Sequence, residues 1–172
     1  MEQRGYGAFA SALAADGRDG VHPYVEGELE LTLGDDYVFS SDDPANRINH
    51  LYPEAALALR FGLTPNLAVN LGLTFEPVLD PLPFENRAFG DLGLYVDTLN
   101  LEVEAGGFNF VAGKFGPGFG RAWDNTPGVY GTSLAEDYEL AEQLGFGGAY
   151  AFETAAGTHT LGANIFFADT TV

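Results

Sequence analysis

Cysteine is absent from this 172-residue chain, which excludes disulfide bonds and thiolate metal sites. Basic residues are scarce, because 7 Lys and Arg stand against 25 Asp and Glu, for a formal net charge of −18. Nucleic-acid binding requires a basic surface, so the composition argues strongly against that function. No apolar run approaches the roughly 18 residues of a transmembrane helix. The sequence therefore predicts no helical membrane span.

Glycine and proline punctuate the chain and do not form one low-complexity tract. There are 23 glycines and 9 prolines between regular apolar runs, and 46% of the residues are hydrophobic. This composition is typical of many short strands joined by turns. Residues 1–23 have no sustained period, and we predict an irregular N-terminal segment there.

Alternation of apolar and polar residues predicts seven strands. In the first, Leu29, Leu31 and Leu33 share one face, while Glu28 and Glu30 share the other. The predicted strands span residues 24–33, 55–61, 67–76, 94–105, 108–115, 146–153 and 159–167. The register of the fifth is ambiguous, because its phenylalanines fall on both faces.

The connections between these strands alternate between long and short. This rule is typical of an up-and-down outer-membrane barrel, with short turns at one end and long loops at the other. The strands are also long enough for a tilted crossing of a bilayer. A soluble antiparallel sheet, as in a β-sandwich binding module, has the same two-faced strands. The alternation of long and short connections favours the barrel. The apolar strand faces favour it too, because they are nearly uncharged, and a charge facing lipid costs about 2–4 kcal/mol near the membrane midplane.

The longest connection is the stretch GKFGPGFGRAWDNTPGVYGTSLAEDYELAEQLG, from Gly113 to Gly145. Loops of this length are uncommon in compact domains and are usually functional or disordered. Its aromatic residues argue against disorder. We expect residues 116–144 to fold inward and narrow a pore. Residues 133–142 are predicted to form a short helix, with Thr132 or Ser133 as its N-cap.

The stretch GKFGPGFGRAWDNTPGVYGTSLAEDYEL resembles the outer-membrane porins of Gram-negative bacteria, of the general-diffusion type and particularly the alphaproteobacterial ones. The strand and loop order over residues 24–172 resembles that family too, as does the place of the longest loop after the fifth strand. The resemblance implies an outer-membrane location, lipid contact and a homotrimer. It also implies a water-filled channel for passive diffusion of small hydrophilic solutes and ions.

The strand count departs from this family. Such porins have about 16 strands, which at the spacing here would need on the order of 330 residues. We therefore expect a partial transmembrane β-barrel of about 7–8 strands over residues 24–172, and an N-terminal fragment of a longer porin. A small closed barrel that only anchors in the membrane does not fit an odd count of seven.

Acidic residues of the long loop are candidates for the pore constriction, where they would favour cations. They are Asp124, Glu136, Asp137, Glu139 and Glu142. Basic residues that could face them are Arg60, Arg87, Lys114 and Arg121, and opposed charges across a narrow pore create a transverse field. Two alternatives are open. The acids could face bulk water and only solubilise the loop, and Arg121 could simply pair with Asp124.

Enzymatic chemistry has no support in the sequence. The segment GKFGPGFG lacks the GxxxxGK spacing of a phosphate-binding loop, because its lysine precedes the glycines. His22, His50 and His159 are isolated, which makes a metal site improbable. No catalytic pair or triad is recognisable. We expect no enzyme activity, no cofactor and no metal.

Overall fold

The computed structural model describes residues 21–118 and 140–167 of the chain. Eight strands make up most of these ranges: β1 (Tyr24–Tyr37), β2 (Asn49–Thr64), β3 (Leu67–Pro77), β4 (Arg87–Ala88), β5 (Leu92–Ala105), β6 (Phe108–Phe115), β7 (Gln143–Thr154) and β8 (Gly157–Phe166). One short 3-10 helix, Pro44–Asn46, lies between β1 and β2. No helix in either range is long and apolar enough to cross a membrane.

All eight strands belong to one sheet. Its order is β1-β2-β3-β5-β6-β7-β8, and every pair along this path is antiparallel. The two-residue β4 pairs in parallel with β2, beyond the point where β3 ends. The predicted all-β antiparallel fold is thus confirmed, with β4 as an addition. Within the described ranges β1 and β8 are not in contact, so the sheet is open along these two strands.

The connections follow the predicted alternation. Two-residue turns join β2 to β3, β5 to β6 and β7 to β8, at residues 65–66, 106–107 and 155–156. The long connections span residues 38–48, 78–91 and 116–142, so all of them lie at the opposite end of the strands. We call these the short-turn end and the long-loop end of the sheet.

The hairpin of β1 and β2 extends further than the sequence predicts. The aspartate-rich residues 34–53 are predicted as a polar connection, but only residues 38–48 lie between the two strands. Asp36 pairs in register with His50, and Tyr37 pairs with Asn49. Polar residues at the end of a hairpin retain strand geometry because the ladder hydrogen bonds continue, and this cross-strand contribution overrides local turn preference.

The pairing register separates the sheet into two faces. The apolar face contains Val25, Leu29, Leu31 and Leu33 of β1; Leu57, Leu59 and Phe61 of β2; Val69, Leu71, Leu73 and Phe75 of β3; Leu94, Val96, Leu99, Leu101 and Val103 of β5; Phe108, Phe110 and Ala112 of β6; and Leu144, Phe146, Tyr150, Leu161 and Ile165 of β7 and β8. The alternate residues form the polar face. The ambiguity in β6 is thereby resolved, because Phe108 and Phe110 lie opposite Ala105 and Val103.

Burial is inverted relative to a water-soluble domain. Leu31 is 71% exposed and Leu161 is 68% exposed, both on the apolar face. By contrast, Thr74 and Glu102 on the polar face are 3% and 4% exposed. Every buried residue of the described strands belongs to the polar face: His50, Tyr52, Gly62, Ala68, Gly72, Thr74, Asn100, Glu102, Phe115 and Gly147. The described residues contain no second sheet that packs on the exposed leucines.

The predicted loop helix can be checked only at its end. Leu140 to Glu142 are not helical, and Glu142 has a φ of 57°. The predicted helix is therefore wrong over these three residues, since a positive φ interrupts a right-handed helix. Its remaining part, with most of the predicted inward-folded loop, lies outside the described residues.

Candidate functional site

The polar face is the candidate site, because it concentrates the charge of the sheet. Its carboxylates are Glu26, Glu28, Glu30, Asp36, Glu54, Glu76, Asp97, Glu102, Glu104 and Glu153. On the seven long strands, Arg60 is the one described Lys or Arg of this face. The face thus has a large excess of negative charge.

Arg60 lies in a hydrogen-bonded network at the centre of this face. Its Nη1 atom donates to a carboxylate oxygen of Glu102 and to Oδ1 of Asn70, the latter at 3.2 Å. Glu102 also accepts from Nδ2 of Asn70 at 2.9 Å and from Nδ2 of Asn109 at 2.6 Å. Asn70 makes a further bond to Asn100, at 3.0 Å. The bonds to the Glu102 carboxylate are charge-assisted, and such bonds are among the stronger ones in proteins.

Strand register brings this network together from four strands. Arg60 lies directly opposite Asn70, which in turn lies opposite Asn100. Glu102 lies one pleat further along β5, opposite Ala68. The small alanine side chain leaves space, so that the Glu102 carboxylate can reach Asn70 and Arg60 on neighbouring strands.

A second polar group lies nearer the long-loop end. Thr74 donates from Oγ1 to Asp97 at 2.6 Å, and Tyr95 donates its hydroxyl proton to Glu76. One strand further, Tyr52 donates to Asp36 at 3.0 Å. Three carboxylates of the polar face are thus held by hydroxyl groups, which orient them and leave their charge unneutralised.

Arg87, one of the basic residues predicted to face the constriction acids, instead anchors the connection at 78–91. Its guanidinium donates to the carbonyl oxygens of Leu79 and Asp80, at 2.8 and 3.2 Å. It also forms ion pairs with Glu85 at 2.9 Å and with Asp91 at 2.8 Å. The hydrogen bond from Arg87 holds the pKa of Glu85 below its usual value. This arginine therefore stabilises a loop.

Lys114 lies apart from the polar network. The register aligns it with Leu99 and Leu144, which belong to the apolar face. Its ammonium group donates to the carbonyl oxygen of Val96 and forms an ion pair with Glu142 at the long-loop end. The structure does not bring Lys114 or Arg87 together with Arg60.

The other predicted constriction residues lie outside the described residues. These are Arg121, Asp124, Glu136, Asp137 and Glu139, and their role in narrowing a pore stays a prediction. Glu142 is described and pairs with Lys114. In residues 21–118 and 140–167, no three His, Cys, Asp or Glu side chains are grouped to hold a metal ion.

Sequence reasoning did not identify the polar network that Glu102 forms with Asn70, Asn100 and Asn109. The alternation puts Asn70, Asn100 and Glu102 on polar faces, which is a usable signal. It does not indicate that Glu102 lies beside Arg60, 42 residues earlier in the chain. That proximity depends on register across β2, β3 and β5.

Comparisons of this chain with protein-family models, with curated proteins and with solved structures find no match.

Proposed function

We propose that this chain forms part of the wall of an outer-membrane channel of a Gram-negative bacterium, as in the porin family. The channel would allow passive diffusion of small hydrophilic solutes and ions. Its apolar face would contact lipid, its polar face would line the water-filled lumen, and the full-length protein would assemble as a homotrimer. This is a transport function without catalysis.

The exposed apolar face is the observation that supports this proposal most. From Val25 to Leu33 on β1, and at the aligned positions of its neighbours, the described residues of this face carry no Asp, Glu, Lys or Arg. Its two charged residues, Asp35 and Lys114, both lie toward the long-loop end. An uncharged band flanked by polar ends is what a bilayer requires of the lipid-facing side of a barrel.

Aromatic side chains border this band at the short-turn end. Phe108 stacks on Tyr150 with ring centroids 4.3 Å apart, and Tyr150 stacks on Phe152 at 5.9 Å. Phe152 in turn stacks on His159, at 5.3 Å. Tyr37 has an aromatic neighbour, Phe39, at the long-loop end. Aromatic girdles at both interfaces are typical of transmembrane barrels.

The charge of the polar face favours a channel that prefers cations. Carboxylates outnumber basic groups there, and Arg60 is already paired with Glu102. A wet passage lined by carboxylates attracts cations and repels anions. We therefore expect a permeability ratio above one for potassium over chloride.

The alternative function is a soluble or surface-exposed β-sandwich that acts as a binding module. It requires a cover for leucines such as Leu31 and Leu33, which are exposed in the described sheet. Contiguous exposed apolar surface on this scale is rare in soluble monomers. The two functions differ in an accessible property, since the sandwich should remain monomeric in water without detergent.

The test is to refold the full-length protein in detergent and reconstitute it into planar bilayers. We expect detergent-dependent solubility, discrete conductance steps and a reversal potential that favours cations. Cross-linking of the same sample should give a trimer. A monodisperse monomer in plain buffer that neither inserts nor conducts would overturn the channel and favour the binding module.

A further inference from the structure

We infer that Glu102 is a positioning residue that sets the ion preference of the proposed channel. It does so by holding the Arg60 guanidinium against the wall and cancelling its charge. The inference rests on the proposed function for its consequence, but the contact itself can be tested separately.

The geometry indicates that Glu102 restrains the position of the Arg60 side chain and also neutralises its charge. Glu102 is almost fully buried and accepts hydrogen bonds from Arg60, Asn70 and Asn109, which come from three different strands. Arg60 itself is only 12% exposed, and its contact with Glu104 is longer, at 3.7 Å. A carboxylate with several donors is fixed in position, so it can fix the guanidinium in turn.

Without Glu102, Arg60 would keep only weaker partners. Oδ1 of Asn70, directly opposite on β3, accepts from Arg60 at 3.2 Å, and the half-exposed Glu104 is 3.7 Å away. Tyr24 adds a further side-chain hydrogen bond. The small residues Ala58 and Gly62, its neighbours on the polar face of β2, offer no polar side chain. Glu26 lies opposite Arg60 in the register, but the ion pairs of Arg60 within the described strands are with Glu102 and Glu104. Loss of Glu102 would therefore leave a less restrained positive charge above an otherwise acidic face.

Two variants separate restraint from charge. Glu102→Asp keeps the charge and shortens the side chain, so the contact with Arg60 is lost without a change in net charge. Glu102→Gln keeps the size and removes the charge. The matched control is Glu26→Gln, which removes one carboxylate from the same face and breaks no described ion pair with Arg60. Arg60→Gln combined with Glu102→Gln leaves no orphan charge and checks that the site can fold without the pair.

The first measurement is modification of Arg60 by phenylglyoxal in the refolded full-length protein, followed by peptide mass mapping. We expect slow reaction in the wild type and in Glu26→Gln. In Glu102→Asp the reaction should be about tenfold faster. Loss of one charge-assisted hydrogen bond increases the population of unpaired, reactive Arg60 by about this factor. Equal reactivity of Arg60 in all of these proteins would overturn the inference.

The second measurement is the reversal potential in planar bilayers. Glu102→Asp should lower the preference for cations although its net charge is unchanged, and Glu102→Gln should lower it more than Glu26→Gln does. Equal shifts for the two glutamine variants, with no shift for Glu102→Asp, would overturn the inference while leaving the channel intact. If no variant conducts, the proposed function fails, and the arginine reactivity still decides whether Glu102 holds Arg60.

Discussion

The carboxylate of Asp97 occupies the space directly above Gly72. A Cβ atom added at Gly72 would lie 2.0 Å from the Oδ1 atom of Asp97, well inside contact distance. Asp97 is the extra residue of a bulge in β5, between the pairs that Val96 and Thr98 make with β3. The bulge directs its side chain across the polar face toward Thr74, which donates to it at 2.6 Å.

Gly72→Ala should therefore displace Asp97 and break its hydrogen bond with Thr74. We expect a loss of about 1.5–3 kcal/mol in the free energy of unfolding, the usual value for a hydrogen bond to a charged group. The measurement is urea unfolding of the protein folded in lipid vesicles. Gly162→Ala is the matched control, because the nearest atom to its added Cβ is 3.4 Å away. Equal destabilisation by both substitutions would contradict the role of the Asp97 contact.

The two faces of β1 should respond differently to a positive charge. Leu29 is on the exposed apolar face and Glu28 is its neighbour on the polar face. If the proposed barrel is correct, Leu29→Lys should cost about 2–4 kcal/mol of folding free energy in lipid vesicles, because a lysine on the lipid-facing side would lie in hydrocarbon. Glu28→Lys should change it by roughly 0.5 kcal/mol or less. Similar values for both variants would indicate that both faces contact water.

The connection at 78–91 should loosen at acidic pH. Since Arg87 lowers the pKa of Glu85 in the folded chain, this carboxylate contributes stability above its unfolded pKa, and that contribution is lost as pH falls through the folded value. The expected range lies below about pH 4. Hydrogen exchange at the Leu82 amide, which donates to Glu85 at 2.8 Å, measures the opening.

Two variants check this assignment. Glu85→Gln should exchange faster at neutral pH and lose the acid-dependent increase at Leu82. Arg87→Lys keeps a positive charge but cannot make the same set of bonds to Leu79, Asp80, Glu85 and Asp91, so it should loosen the connection at all pH values. Persistence of the full acid response in Glu85→Gln would assign it to another group.

The aromatic row at the short-turn end should contribute measurable coupling. A double-mutant cycle of Phe108→Leu and Tyr150→Leu in vesicles should give about 0.5–1.5 kcal/mol, as for other stacked aromatic pairs. The comparison pair is Phe110 and Phe146, whose centroids are 6.4 Å apart, and its coupling should be smaller. The opposite order of the two couplings would exclude ring stacking as the cause.

Period-two alternation was sufficient to predict the strands and the order of the connections. The predicted bounds of the fifth strand agree with β6, and those of the third agree with β3 to within one residue. Alternation is a local property, because successive side chains of any extended chain point to opposite sides. The sequence by itself therefore determined the seven long strands, the two faces of all of them except β6, and the alternation of long and short connections.

Cross-strand register decided the rest. It extended β1 to Tyr37 through pairing with β2, and it aligned Phe108 with the apolar face. Register also brought Glu102 to Arg60, although β3 lies between their strands in the sheet. Such contacts depend on how separate strands align, which no single stretch of sequence specifies. Only the tertiary structure could therefore distinguish an arginine paired within the sheet from one exposed to solvent.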